Sequence, residues 1–113
     1  MIIYIAGKYS GDTAQNIKAA RVVAIELWEA GFAVFTPHLN TAGFELDCKA
    51  SYTDYLAGGL EILAGCDALV LLPGWQESKG AAIECVFALV GGMPVYAWPD
   101  RPVLDRGIIV AEG

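Results

Sequence analysis

Basic residues are few and scattered: seven Lys and Arg stand against thirteen Asp and Glu, a formal net charge of −6 at pH 7. A nucleic-acid polymer needs a basic patch against its phosphates, so none is expected as a partner. No stretch approaches the ~18 uninterrupted apolar residues of a membrane span, and no membrane partner is expected either. His38 is the only histidine, and a lone His offers no metal site. Without a Ser or Cys partner at recognisable spacing, it gives no support to a hydrolytic triad. Cys48, Cys66 and Cys85 are an odd number with neither disulfide nor zinc spacing, which suits buried thiols in a reducing compartment. No cofactor fingerprint is complete. Met1 leads straight into an apolar strand with no basic leader segment, so the expected location is the cytoplasm.

What the sequence has in abundance is apolar side chains, 56% of 113 residues. Ordinary soluble chains carry about 45–50%. This length suits one domain, residues 1–113, with one core. The surplus apolar surface points to subunit contacts, as a homodimer or higher homo-oligomer.

Ile2 to Ala6 is an almost wholly apolar run ending at Gly7, the pattern of a strand buried on both faces. Asp12 followed by Gln15 predicts a helix cap, and the helix runs to about Ala30 with Ile17, Ala20, Ala24 and Leu27 on one face. Phe32 to Thr36 reads as a second strand, and His38 to Ser51 as a loop without a period. A helix over Tyr52 to Ala64 is weakened by Gly58-Gly59. Ala68 to Leu72 is a third strand, Ser78 caps a helix to about Val90, and Pro94 to Ala97 is a fourth strand. Gly107 to Val110 suits a short fifth. Helices alternating with apolar strands predict a three-layer α/β fold, Rossmann-like or flavodoxin-like, around a parallel sheet of four to five strands. Ligands of such sheets bind beyond the carboxyl ends of the strands.

The helix after the third strand carries the clearest chemical signal. From Gly80 to Gly92 its one charged residue is Glu84, on a face shared with Gly80, Ala81, Phe87 and Ala88. A carboxylate recessed among small residues is desolvated and its pKa raised, as suits a nucleophile or an acid. A Glu pointing to solvent is the alternative. The rest of that helix is apolar all round and should be covered twice, by the sheet and by a second copy. The loop Gly7-Lys8-Tyr9-Ser10-Gly11 before a helix N-terminus is either an anion cradle or an ordinary strand-to-helix turn. Trp75 could stack on a flat base or cap the core.

In combination these segments resemble the nucleoside 2-deoxyribosyltransferase superfamily, which includes 2′-deoxynucleoside 5′-phosphate N-hydrolases. The carriers are Ile3-Tyr4-Ile5-Ala6-Gly7, Pro37 to Ala42, Cys66 to Trp75, Ser78-Lys79-Gly80-Ala81 and Glu84, spanning residues 2 to about 97. They look most like a compact branch of unknown function common in phage and bacterial genomes. The resemblance implies a small-molecule nucleoside or nucleotide partner. It implies that Glu84 is the nucleophile at C1′ and that Tyr4 orients it. It places Gly7, Lys8, Tyr9, Ser10 and Ser78 around the sugar or its phosphate, and His38, Trp75 and Gly80 are expected beside the substrate with them. No metal or cofactor is implied. One departure stands out: the family usually carries an Asp eight residues before the position of Asp67, and here that residue is Gly59. Asp54 and Glu61 lie at offsets that point elsewhere on the helix. Since Gly is poor inside a helix, Gly59→Asp is expected to be tolerated. An enzyme acting at the N-glycosidic bond and a non-catalytic nucleotide-binding protein both remain open.

Overall fold

The computed structural model describes residues 1–103. Strands β1 (Ile2–Ala6), β2 (Ala33–Phe35), β3 (Ala68–Leu71) and β4 (Val95–Ala97) form a parallel sheet in the order β2-β1-β3-β4. Helices α1 (Thr13–Glu29), α2 (Pro37–Asn40), α3 (Tyr52–Ala64) and α4 (Lys79–Val90) connect and cover it. The fifth strand expected at 107–110 lies outside the described residues. None of the described helices is long and apolar enough to cross a membrane.

Strands β1 and β3 are continuously apolar because both faces of the sheet are covered. Ile3, Ile5 and Val70 pack on one side against Ala20, Val23, Ala24 and Leu27 of α1. Tyr4, Ala6, Leu69 and Leu71 point the other way, onto Leu63 of α3 and Ala81, Cys85 and Ala88 of α4. Each fully buried Leu contributes about 1.5–3 kcal/mol. The result is the expected three-layer α/β arrangement.

The caps explain where the helices start. Asp12 accepts a hydrogen bond from the Gln15 N–H at 3.2 Å, and the Ser78 hydroxyl accepts from Ala81 N–H at 3.1 Å. Ser51 and Asp54 form a reciprocal capping box at the start of α3, which offsets part of the cost of Gly58-Gly59 within the helix. Two boundaries differ from the sequence reading. Residues 38–51 are not all loop: α2 begins at Pro37, whose ring presets the first helical φ, and a 3-10 turn spans Phe44–Leu46. Both are too short to leave a period. Strand β2 is shorter than expected because the Phe32 N–H bonds back to Leu27 O at 3.1 Å and Thr36 already caps α2.

This strand order positions the site. The chain leaves β1 toward β2 on one side and returns to β3 on the other, so connections diverge above Ala6 and Leu71, which are paired in register. The two strand exits then run very close. A Cβ on Gly7 would fall 2.7 Å from Leu72 Cδ1, so only glycine fits there.

Candidate active site

A cavity of about 820 Å³ opens at the carboxyl end of β1, lined by the loop after β1, α3 and the start of α4. Its base is Tyr4, 1% exposed, whose phenol rises on the α3–α4 side of the sheet. The Tyr4 hydroxyl donates a hydrogen bond to Glu84 Oε2 from α4. The two residues are 80 apart in sequence, and only the parallel register of β1 beside β3 brings them together.

Burial raises the Glu84 carboxyl to about 7, even though the Tyr4 hydrogen bond pulls it down. The same burial, then the Glu84 charge and the shared hydrogen bond, hold the Tyr4 phenol well above its ordinary range. The phenol therefore keeps its proton and orients the carboxylate without competing with it. At neutral pH, Glu84 is divided between its neutral and charged forms. A half-desolvated carboxylate with one fixed donor and an open side is equipped to attack or to protonate a ligand in the cavity.

Of the residues expected around the substrate, Gly7, Lys8, Tyr9, Ser10, His38, Ser78 and Gly80 all line this cavity. Several have structural partners as well. Lys8 Nζ pairs with Glu77 across the mouth at 3.1 Å. The Ser78 hydroxyl is engaged in capping α4. Tyr9 donates to Glu45 at 3.0 Å and accepts from Gly43 N–H at 3.2 Å, tying the loop after β1 to the segment after α2. His38 is buried, which keeps its imidazole below the usual range and so neutral. Its Nε2 lies 2.9 Å from the Lys8 carbonyl, so it braces the loop after β1. Trp75 does not line the cavity; it packs against the second core cluster, and of its two readings the cap is the one the structure adopts. The Tyr52 hydroxyl sits 3.3 Å from where a Cβ on Gly80 would be.

Gly59 faces the centre of the site. A Cβ there would lie 2.9 Å from the Tyr4 hydroxyl and 3.5 Å from Glu84 Oε2. This corrects the expectation that an aspartate would be accommodated as the chain stands, because its Cβ would have to displace the hydroxyl of Tyr4, whose ring is buried in the core. Asp54, expected to point elsewhere, does line the cavity, but it does not substitute for the missing carboxylate. Its carboxylate accepts from Ser51 N–H at 2.8 Å, and that bond holds it below the usual carboxylate range.

Residues 1–97 match the family model described as a domain of unknown function, DUF4406. The chain belongs to the DUF4406 family. No functionally curated protein matches this DUF4406 chain by sequence. Among solved structures it is similar to a 2-deoxyribosyltransferase of the psychrotolerant bacterium Bacillus psychrosaccharolyticus. The TM-score is 0.64 at 22% identity, covering 96% of this chain and 80% of that one. That likeness establishes a nucleoside 2-deoxyribosyltransferase-like fold for this DUF4406 member.

Sequence reasoning missed Tyr52 and Tyr55, both of which line the cavity from the first turn of α3. Their three-residue spacing places two phenols on one face and was a usable signal. Glu45 and Thr41 also line it, from a segment whose position depends on Tyr9 and on α2, and no local pattern predicts that.

Proposed function

We propose that this protein cleaves or transfers at the N-glycosidic bond of a small nucleoside, deoxynucleoside or nucleoside 5′-monophosphate, with Glu84 as nucleophile and Tyr4 as the residue that orients it. The observation that carries this reading is the Tyr4–Glu84 hydrogen bond at the base of the cavity. Glu84 Oε1 attacks C1′, the bond from C1′ to the base nitrogen breaks, and a glycosyl ester forms on Glu84. Water or a second base then resolves the ester, the two-step logic of retaining glycosidases. The nucleoside chemistry of the structural neighbour, a biocatalyst for nucleoside synthesis, supports the same class.

The backbone N–H groups at the start of α4 border the cavity and suit a 5′-phosphate, beside Ser78 and Gly80. Ile83, Val86, Phe87, Leu89 and Val90 on α4 are exposed, and a second copy of the chain is the proposed cover. A reading as a binder is favoured by one observation: Gly59 leaves the Tyr4–Glu84 pair without the second carboxylate its superfamily usually has. Incubation with a panel of nucleosides and monophosphates, followed by chromatography for free base, decides between them. Base release by the wild type but not by Glu84→Gln supports the enzyme; tight binding without release supports the binder.

A further inference from the structure

Among the described residues, the cavity offers a carboxylate to attack C1′ but no group placed to protonate a departing base. Glu45, Asp54 and Glu77 are the other carboxylates lining it. Each is occupied: Glu45 by the Tyr9 hydroxyl at 3.0 Å, Asp54 by the Ser51 N–H at 2.8 Å, and Glu77 by Lys8 at 3.1 Å. All three side chains belong to exposed residues at the rim. Residue 59, beside Glu84, is a glycine, and any side chain there would have to displace the Tyr4 hydroxyl. Tyr4 itself is committed to Glu84. Of the three remaining phenols, Tyr9 donates to Glu45, Tyr52 lies over Gly80, and Tyr55 is pushed up to about 12 by the Cys48 thiol beside it. Phenols in that range can donate a hydrogen bond but are weak proton donors at pH 7.

The charge of the lining points the same way. Four carboxylates, counting Glu84, face two ammonium groups, Lys8 and Lys79, and His38 is neutral. Such a cavity attracts a cation.

From this arrangement, and resting on the reading of Glu84 as nucleophile, we infer that the preferred substrates are N-glycosides whose base already carries a positive charge at the bond to be broken. Pyridinium nucleosides and N7-alkylated purine nucleosides, or their 5′-monophosphates, are the chemical class. The step needs no acid. The Glu84 carboxylate forms a bond to C1′, the electron pair of the C1′–N bond passes to the cationic ring, and a neutral base departs. Water then attacks C1′ of the ester, freeing the Glu84 carboxylate and releasing one proton to solvent. The positive ring also favours the ionised form of Glu84 as the complex forms. A neutral purine or pyrimidine would have to leave as an anion, and none of the described side chains is placed to protonate it.

The test compares matched pairs: nicotinamide riboside against inosine, and N7-methylguanosine against guanosine. Each is assayed as riboside, 2′-deoxyriboside and 5′-monophosphate, with spontaneous hydrolysis subtracted. A positioned general acid is typically worth ~100- to 10,000-fold, and it would level the two members of each pair. Without one, kcat/KM for the cationic member should exceed that of its neutral partner by at least ~100-fold. For the cation, the pH profile should rise through a single ionisation and show no fall at alkaline pH. Neutral members cleaved within tenfold of the cationic ones, or a bell-shaped profile for the cation, would overturn this inference while leaving Glu84 as nucleophile intact. No base release and no mass adduct on the protein from any member would overturn both.

Discussion

Glu84→Gln should change how the stability of the fold depends on pH, whether or not any substrate is known. The carboxyl titrates at 4.5 when unperturbed and at about 7 in the folded chain, chiefly because burial disfavours its charge. Below pH 4.5 both folded and unfolded chains carry it neutral, and it exacts no electrostatic penalty. As pH rises toward 7 the unfolded chain releases the proton while the folded chain retains it, so stability is progressively lost. Each pH unit of that gap is worth about 1.4 kcal/mol, giving a loss of about 3 kcal/mol that is complete once pH passes the folded value. Glutamine keeps the shape and can still accept from Tyr4, but it has no proton to lose. The assay is urea unfolding of both proteins at pH 4, 5, 6, 7 and 8, with free energies from linear extrapolation. The difference between variant and wild type should grow in favour of the variant by about 3 kcal/mol from the acidic to the neutral end. Two curves that run parallel would mean that Glu84 is not desolvated in the folded chain, and the reasoning about its chemistry would fail with it.

Tyr4→Phe removes the one hydrogen bond that lowers the Glu84 pKa, and a bond to a charged group is worth about 1.5–3 kcal/mol. The midpoint of the pH–rate profile for base release should therefore move about one to two pH units alkaline; an unmoved midpoint would show that Tyr4 does not tune Glu84. Adjacent glycines of α3 should respond in opposite senses: Gly58→Ala, which meets open space, should stabilise the chain by up to ~1 kcal/mol as in any exposed helix, whereas Gly59→Ala should destabilise it by displacing the Tyr4 hydroxyl. Thermal melts of the pair check this, and equal shifts would contradict the packing. If a second copy covers α4 as proposed, Val86→Glu should dissociate the pair or render it insoluble, since an interface cannot desolvate an unpaired charge; a wild type that sediments as a monomer at tens of micromolar, roughly the range of weak interfaces, would refute it.

Much of the frame was legible because the elements are long enough to show a period or a run. β1 and β3 announce themselves by unbroken apolar stretches, α1 by its spacing and by Asp12, and α4 by Ser78 and the following small residues. Glu84 stood out as a lone charge on an apolar helix, and its facing toward Tyr4 follows once β1 is the central strand. The segment from Pro37 to Ala50 was not legible. Its two short turns are tied to the loop after β1, the 3-10 turn by Tyr9 on Glu45 and Gly43 and α2 by His38 on the Lys8 carbonyl, and no local periodicity encodes such contacts. The opposite roles of Gly58 and Gly59 were also hidden, because residue type alone does not reveal which of them a buried phenol has been packed against. Trp75 could not be placed from sequence either: an aromatic at a strand exit serves a core or a ligand equally well, and here it serves the core.

The central claim is that Glu84 forms a covalent bond to C1′. Wild-type protein should be incubated with a cationic nucleoside, quenched in acid within the first turnover, digested and mapped by mass spectrometry. The account predicts one pentosyl unit on the peptide that carries Glu84, absent in Glu84→Gln, with an equal amount of free base in solution. Free base released with no adduct at any time, or an adduct on a different side chain, would contradict it.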